Sequence, residues 1–188
     1  SVSATANPVQ EILRYPRFIV FTSSFCLMVI EIVAGRIMAP YLGVSLYTWT
    51  SIIGVVLAGI SIGNYIGGKI ADKSPQKFTL SLSFFLSGVS SFMIVALSHM
   101  VGDIISLGYF TLPISTFLFS LFVFFIPSVT LSFISPLVIK LTLKSLQNTG
   151  TTVGQIYAFS TLGSILGTLL TGYFFIALFG TRAIITGV

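Results

Sequence analysis

Charge is what this sequence has least of. Its 188 residues include four Asp and Glu and nine Lys and Arg, 7% in all, against about 25% in a soluble domain. So few charges cannot cover the surface of a water-soluble globule. Disorder is excluded as well, because it requires many charges and few apolar residues. The single cysteine, Cys26, rules out an intrachain disulfide framework and any multi-cysteine metal or redox site. It lies in an apolar run and reads as a small buried hydrophobe. The single histidine, His99, builds no metal site unaided. It falls at an expected helix end and reads as interfacial. The short polar–apolar alternation of a membrane β-barrel is missing too.

What fills the chain is apolar: 55% hydrophobic residues and a mean hydropathy of +1.06. About 20 consecutive apolar residues cross a bilayer as a helix. The long runs here predict an all-α, polytopic transmembrane helical bundle. Residues 1–17 form a polar N-terminal segment, and 18–188 form the membrane domain. Spans are expected near 18–39, 47–70, 78–97, 113–143 and 153–179. Pro40-Tyr41-Leu42-Gly43 should break the first. Tyr47 and Trp49 suit an interfacial belt at the start of the second. Ser98 to Asp103 should close the third.

The stretch 104–143 has two readings. It is either two short spans broken at Pro127, or an interfacial segment over 104–112 followed by one long span bent at Pro127 and Pro136. Charge favours the second. With one crossing, Arg14, Arg17, Lys69, Lys73, Lys77, Lys140 and Lys144 share one side, seven of the nine basic residues. That is the positive-inside pattern of a multi-pass protein with a cytoplasmic N-terminus. The net charge of +5 is therefore topological and does not mark nucleic-acid binding. The last residues, Arg182 to Val188, read as the start of a further apolar helix. The sequence is expected to be a fragment or split product of a longer protein.

Two helices carry small-residue stripes. Gly59, Gly63 and Gly67 form a double GxxxG, and Gly163 and Gly167 continue to Thr171. Residues four apart share a helix face, so these glycines admit a neighbouring backbone. Helix packing is the first reading, and lining a narrow passage is the alternative. The phenylalanines at 84, 85, 117, 119, 122, 124 and 125 should face lipid or pack within the bundle.

Glu31 is the one acidic residue deep in a span. It costs roughly 2.5–3.5 kcal/mol at a helix centre. It must therefore face the interior, be paired, or be protonated. Arg36 lies nearer the outer end and can snorkel. Five residues apart, the two do not stack. Asn64, Tyr157, Thr50 or Ser51 are the expected hydrogen-bond partners of Glu31 across helices. An interhelical bond is one role, and cation or proton handling is the other. Asp72 should accept backbone N–H bonds and pair with a cation, locking the loop between spans two and three.

Gly68-xxx-Asp72-Lys73-x-Pro75-Gln76-Lys77 is similar to the cytoplasmic loop motif of the major facilitator superfamily, with Pro75 and Gln76 departing from it. A broader likeness covers nearly the whole chain. Glu31-Ile-Val-Ala-Gly-Arg36 through Gly43, Tyr47-Thr-Trp through Gly54, the Gly-Gly-Lys-Ile-Ala-Asp72 run, the Pro127…Ser135-Pro136 helix and Gly154-Gln-Ile-Tyr157 through Gly172 resemble the membrane domain of the membrane-bound spermidine synthase-like proteins. The resemblance implies a half-transporter-like bundle and a polyamine link, and a companion soluble aminopropyltransferase-like domain.

An aminopropyltransferase site needs a glycine-rich loop after a strand and carboxylates that grip a diamine. Glu11, Glu31, Asp72 and Asp103 are scattered over separate segments, and no cofactor motif is present. The expectation is a non-catalytic module without a cofactor, an anchor or partner subunit in the bilayer beside another membrane subunit or a second copy. The alternative is a small transporter or channel for a cation or polyamine, acting through Glu31, Arg36, Asn64 and Tyr157.

The charge pattern makes a direct prediction. In a Cys26→Ser background, cysteines placed at Lys77 and at Lys144 should both resist an impermeant thiol reagent added from outside. Labelling at 144 alone would show that 104–143 crosses twice.

Overall fold

The structure, a computed structural model, describes residues 15–73, 77–142 and 149–187. These residues are helical nearly throughout, with no strand among them. The helices are α1 (Pro16–Leu42), α2 (Leu46–Lys73), α3 (Lys77–Ser106), α4 (Leu112–Ser132), α5 (Ile134–Thr142), α6 (Thr149–Leu170) and α7 (Thr181–Gly187). α6 continues through a π-helical turn, Thr171–Phe175, to Leu178. Five stretches are long and apolar enough to cross a membrane: Pro16–Leu42, Leu46–Lys73, Phe78–Ser106, Leu112–Thr142 and Thr149–Leu178. The protein is an all-α polytopic bundle.

The helices outrun the expected spans for local reasons. Pro16 sits in the first turn of α1, where a missing N–H costs nothing. Pro40 is carried inside the last turn, and Gly43, at φ +71°, ends the helix. α2 continues past Ile70 to Lys73, so Asp72 is helical. α3 does not close at Ser98–Asp103 but runs to Ser106. The one weak helix former there, Gly102, is buried beneath the Tyr41 ring. His99 is therefore mid-helix, and 104–106 belongs to α3 and not to a separate interfacial segment.

The 112–142 stretch forms one span with a break at Phe133. Pro136 explains the place of the break. Its ring crowds the carbonyl four residues back, at Ser132, and it offers no N–H. Hydroxyls line this helix and return to its carbonyls: Ser120 to Thr116 at 2.9 Å, Ser128 to Phe124 at 2.8 Å and Ser132 to Ser128 at 2.7 Å. Each hydroxyl is satisfied without water, as the bilayer requires.

α1 is the hub and touches every other helix. Val20, Ile30, Val33 and Met38 are buried along it, with Phe119 and Phe124 of α4 packed into the same core. Around this hub two helix pairs lock through glycine. In the first, α2 lies on α4 and α5. A Cβ at Gly59 would fall 2.7 Å from the Ser128 Cβ, and one at Gly67 would fall 2.9 Å from the Phe133 Cα. Between them Gly63 abuts the Val129 carbonyl and Ser132. In the second pair, α6 lies on α1. Gly163 abuts the Phe21 carbonyl, and a Cβ at Gly167 would be 2.6 Å from the Phe25 oxygen.

α3 meets α4 through a serine face: Ser83, Ser87, Ser90 and Ser91 are buried, and the Ser90 and Thr130 hydroxyls bond at 3.1 Å. Of the phenylalanines, 84, 85, 117 and 122 face outward, 119 and 124 are buried, and 125 is half-buried. Trp49 is not a free belt residue, because its ring covers Gly35. Lys144, residues 1–14 with Glu11 and Arg14, and loop positions Pro75 and Gln76 lie outside the described residues, as do the Lys77 and Arg182 side chains.

The glycine contacts distinguish two positions on one helix. Gly63→Leu forces a side chain into a neighbouring backbone and should cost about 1–3 kcal/mol. A Cβ at Gly54 meets nothing within 4 Å, so Gly54→Leu should stay within about 0.5 kcal/mol. Thermal melts of the two purified variants in the same detergent check this, and equal melts would remove Gly63 from the contact.

Candidate functional site

A polar cleft opens among α1, α2, α4–α5 and α6, with a volume of about 380 Å³. Asn64 stands on the α2 wall, and Tyr157, Ser160 and Ser164 stand on the α6 wall. Ser23 and Ser24 of α1 and Ser132 and Ser135 form the floor. Helical spacing assembles each wall: 157, 160 and 164 lie one turn apart on one face. At 1.5 Å per residue, Asn64 lies roughly 14 Å from the Lys73 end of α2, and Tyr157 roughly 12 Å from the start of α6. The cleft is thus within the membrane half nearest those ends.

Part of its polar surface is satisfied internally. Ser24 and Ser160 hydroxyls bond at 2.7 Å and tie α1 to α6. The Ser23 hydroxyl donates to the Val20 carbonyl at 3.0 Å. The Asn64 amide, the Tyr157 hydroxyl, Ser135 and Ser164 make no side-chain hydrogen bond among the described residues. Asn64 and Tyr157 are exposed. Polar groups at this depth need water, a ligand or another protein helix, since lipid tails offer no partner.

Glu31 sits half-buried near the middle of α1. It is three, four and seven residues past Met28, Leu27 and Ser24, so it continues the α1 stripe that walls the cleft. It lies beyond the cleft and is not part of its lining. The structure does not join it to its expected partners. Asn64 and Tyr157 are in the cleft, Thr50 is exposed, and Ser51 donates to Thr116 at 3.0 Å. Among the described residues Glu31 makes no hydrogen bond or ion pair.

The expected loop lock takes a different form. Asp72, in the last turn of α2, accepts from the Lys140 Nζ of α5 at 2.7 Å. The carboxylate therefore fastens span two to span four and not to span three, because α2 winds on past Ile70 and turns Asp72 towards α5. Both partners are exposed, so the pair contributes at most about 1 kcal/mol. Gly68 faces open space, and Lys73 is exposed beside the pair. At the same end Arg17 donates to the Gln155 amide oxygen at 2.6 Å, and Lys69 lies over the Tyr65 ring at 4.3 Å. Arg17, Lys69, Lys73 and Lys140 thus gather at one end of the bundle.

Arg36 belongs to the opposite end. It lines a second cavity of about 190 Å³ with Tyr41, Ser98, His99 and Thr181. The Tyr41 hydroxyl and the His99 Nδ1 are 3.0 Å apart. Among the described residues no three of His, Cys, Asp and Glu gather as a metal site would need.

Asn64 and Tyr157 were expected as partners of Glu31; both line the cleft instead, beside serines that the sequence analysis passed over. The readable signal was serine at helical spacing on neighbouring spans, 160 and 164 beside 132 and 135. Comparison with protein-family models, with curated proteins and with solved structures finds no match to this chain.

Proposed function

We propose that this chain is a non-catalytic integral membrane module of a spermidine synthase-like system, an anchor or partner subunit of a membrane assembly. Its N-terminus is cytoplasmic, with the Arg17, Lys69, Lys73 and Lys140 end on that side. One observation supports the module reading above all. The cleft presents Asn64 and Tyr157 at membrane depth without internal partners, while the helix pairs around it are closed by glycine contacts. A rigid bundle with one unsatisfied polar face is suited to receive another membrane subunit, which would supply the missing hydrogen bonds. The resemblance to spermidine synthase-like membrane domains fits an anchoring role for a soluble aminopropyltransferase-like companion.

A second reading rests on the same cleft. Its walls are polar, and Glu31 continues one of them, so a cation or polyamine path would run from the cleft towards that carboxylate. The two readings differ in whether the cleft is covered. Asn64→Cys, in a Cys26→Ser background, is treated with N-ethylmaleimide in native membranes and in liposomes holding the purified protein alone. The module reading expects labelling roughly tenfold slower in native membranes, as for a cleft covered about nine-tenths of the time. Equally fast labelling in both would favour an open, water-filled path and overturn the module reading.

A further inference from the structure

The cavity at the Arg36 end has a character of its own. It lies between α1, α3 and α7 and is separate from the polar cleft. Among the described residues that line it, Arg36 alone carries a permanent charge, and none is a carboxylate. Among the described residues Arg36 makes no hydrogen bond or ion pair, and its side chain is exposed. A guanidinium offers five N–H donors in a planar fork that matches phosphate oxygens two at a time. Thr181 adds a hydroxyl on the facing wall, and the Tyr41–His99 pair closes the side. Ser98 contributes no donor, since its hydroxyl is spent on the Val95 carbonyl at 2.9 Å.

Depth and size then narrow the ligand. Arg36 lies six residues before the end of α1 at Leu42, roughly 9 Å below it along the axis. α1 exceeds the hydrocarbon core, and a long arginine side chain reaches from such a depth to the headgroup level. The cavity of about 190 Å³ has the space of about six waters. That is room for a phosphate group and its first waters. An exposed guanidinium at headgroup level can take a phosphate in bidentate fashion, which neutralises its charge.

We propose that this cavity binds a phosphate group, with Arg36 as its principal ligand and Thr181 as a second donor, at the membrane surface opposite the Lys140 end. The chemistry is shared by the phosphodiester of a phospholipid headgroup and by free phosphate.

The experiment uses native mass spectrometry of the whole detergent-solubilised, delipidated chain, titrated with dioleoyl-phosphatidylglycerol. Wild type should hold one lipid at a concentration about tenfold lower than Arg36→Gln requires. Lys69→Gln, at the other end, should behave as wild type. Thr181→Val should show a smaller loss in the same direction, which keeps the test open if Arg36→Gln folds poorly. A second arm adds excess inorganic phosphate. Displacement of the lipid by phosphate, dependent on Arg36, assigns the cavity to the free anion, and retention of the lipid assigns it to the headgroup. Equal lipid retention by wild type, Arg36→Gln and Thr181→Val, with no phosphate adduct that depends on Arg36, would overturn the proposal.

Discussion

Close backbone contact at glycine is the constraint on which the rest of this bundle depends. Lipid tails are as apolar as leucine, so helices in a membrane gain little by hiding apolar side chains from them. What remains is van der Waals contact, which fails steeply once surfaces separate. Gly59, Gly63 and Gly67 bring α2 against the backbone of α4, and Gly163 and Gly167 bring α6 against that of α1. A side chain at any of these positions would collide with backbone or a Cβ of the neighbouring helix. The serine face of α3 plays a similar part against α4, with the Ser83, Ser87 and Ser90 hydroxyls returned to their own helix and Ser90 also to Thr130.

These two pairs set where polar groups end up. With α6 drawn onto α1 and α2 drawn onto α4–α5, the walls between the pairs are not closed against each other. Asn64 and Tyr157 stand on those walls, and the cleft between them is a consequence of the pairing. The same pairing keeps Glu31 on the stripe that walls the cleft but beyond its lining. At one end, the exposed Asp72–Lys140 ion pair adds register more than stability.

The helical membrane architecture was legible because hydropathy and the spacing of basic residues are both written along the chain. The glycine stripes were legible too, since four-residue spacing implies a common face. The partner of each stripe was not, because nothing at Gly63 names Val129 and nothing at Gly163 names Phe21. Helix ends were misjudged at Asp72 and His99, where polar residues suggested a boundary but no proline or positive-φ glycine was there to stop the helix. The break at Phe133 was legible only as a bend at Pro136, whose effect falls on the preceding turn. The cleft was half legible: Asn64 drew notice as an amide in an apolar run, whereas serines are too common in membrane helices to stand out singly. Glu31 was legible as an oddity, but its surroundings are a property of three dimensions.

The central claim is the pairing itself, α1 with α6 and α2 with α4. Two hydroxyl contacts report it from within the membrane: Ser24 with Ser160 at 2.7 Å and Ser51 with Thr116 at 3.0 Å. Replaced by cysteines in a Cys26→Ser background, the two side chains of each pair carry their sulfurs to facing positions. Mild oxidation in membranes should cross-link Ser24→Cys with Ser160→Cys, and Ser51→Cys with Thr116→Cys. The exchanged combination of Ser51→Cys with Ser160→Cys should stay reduced. Cross-linking of the exchanged combination, or of neither native pair, would contradict the account.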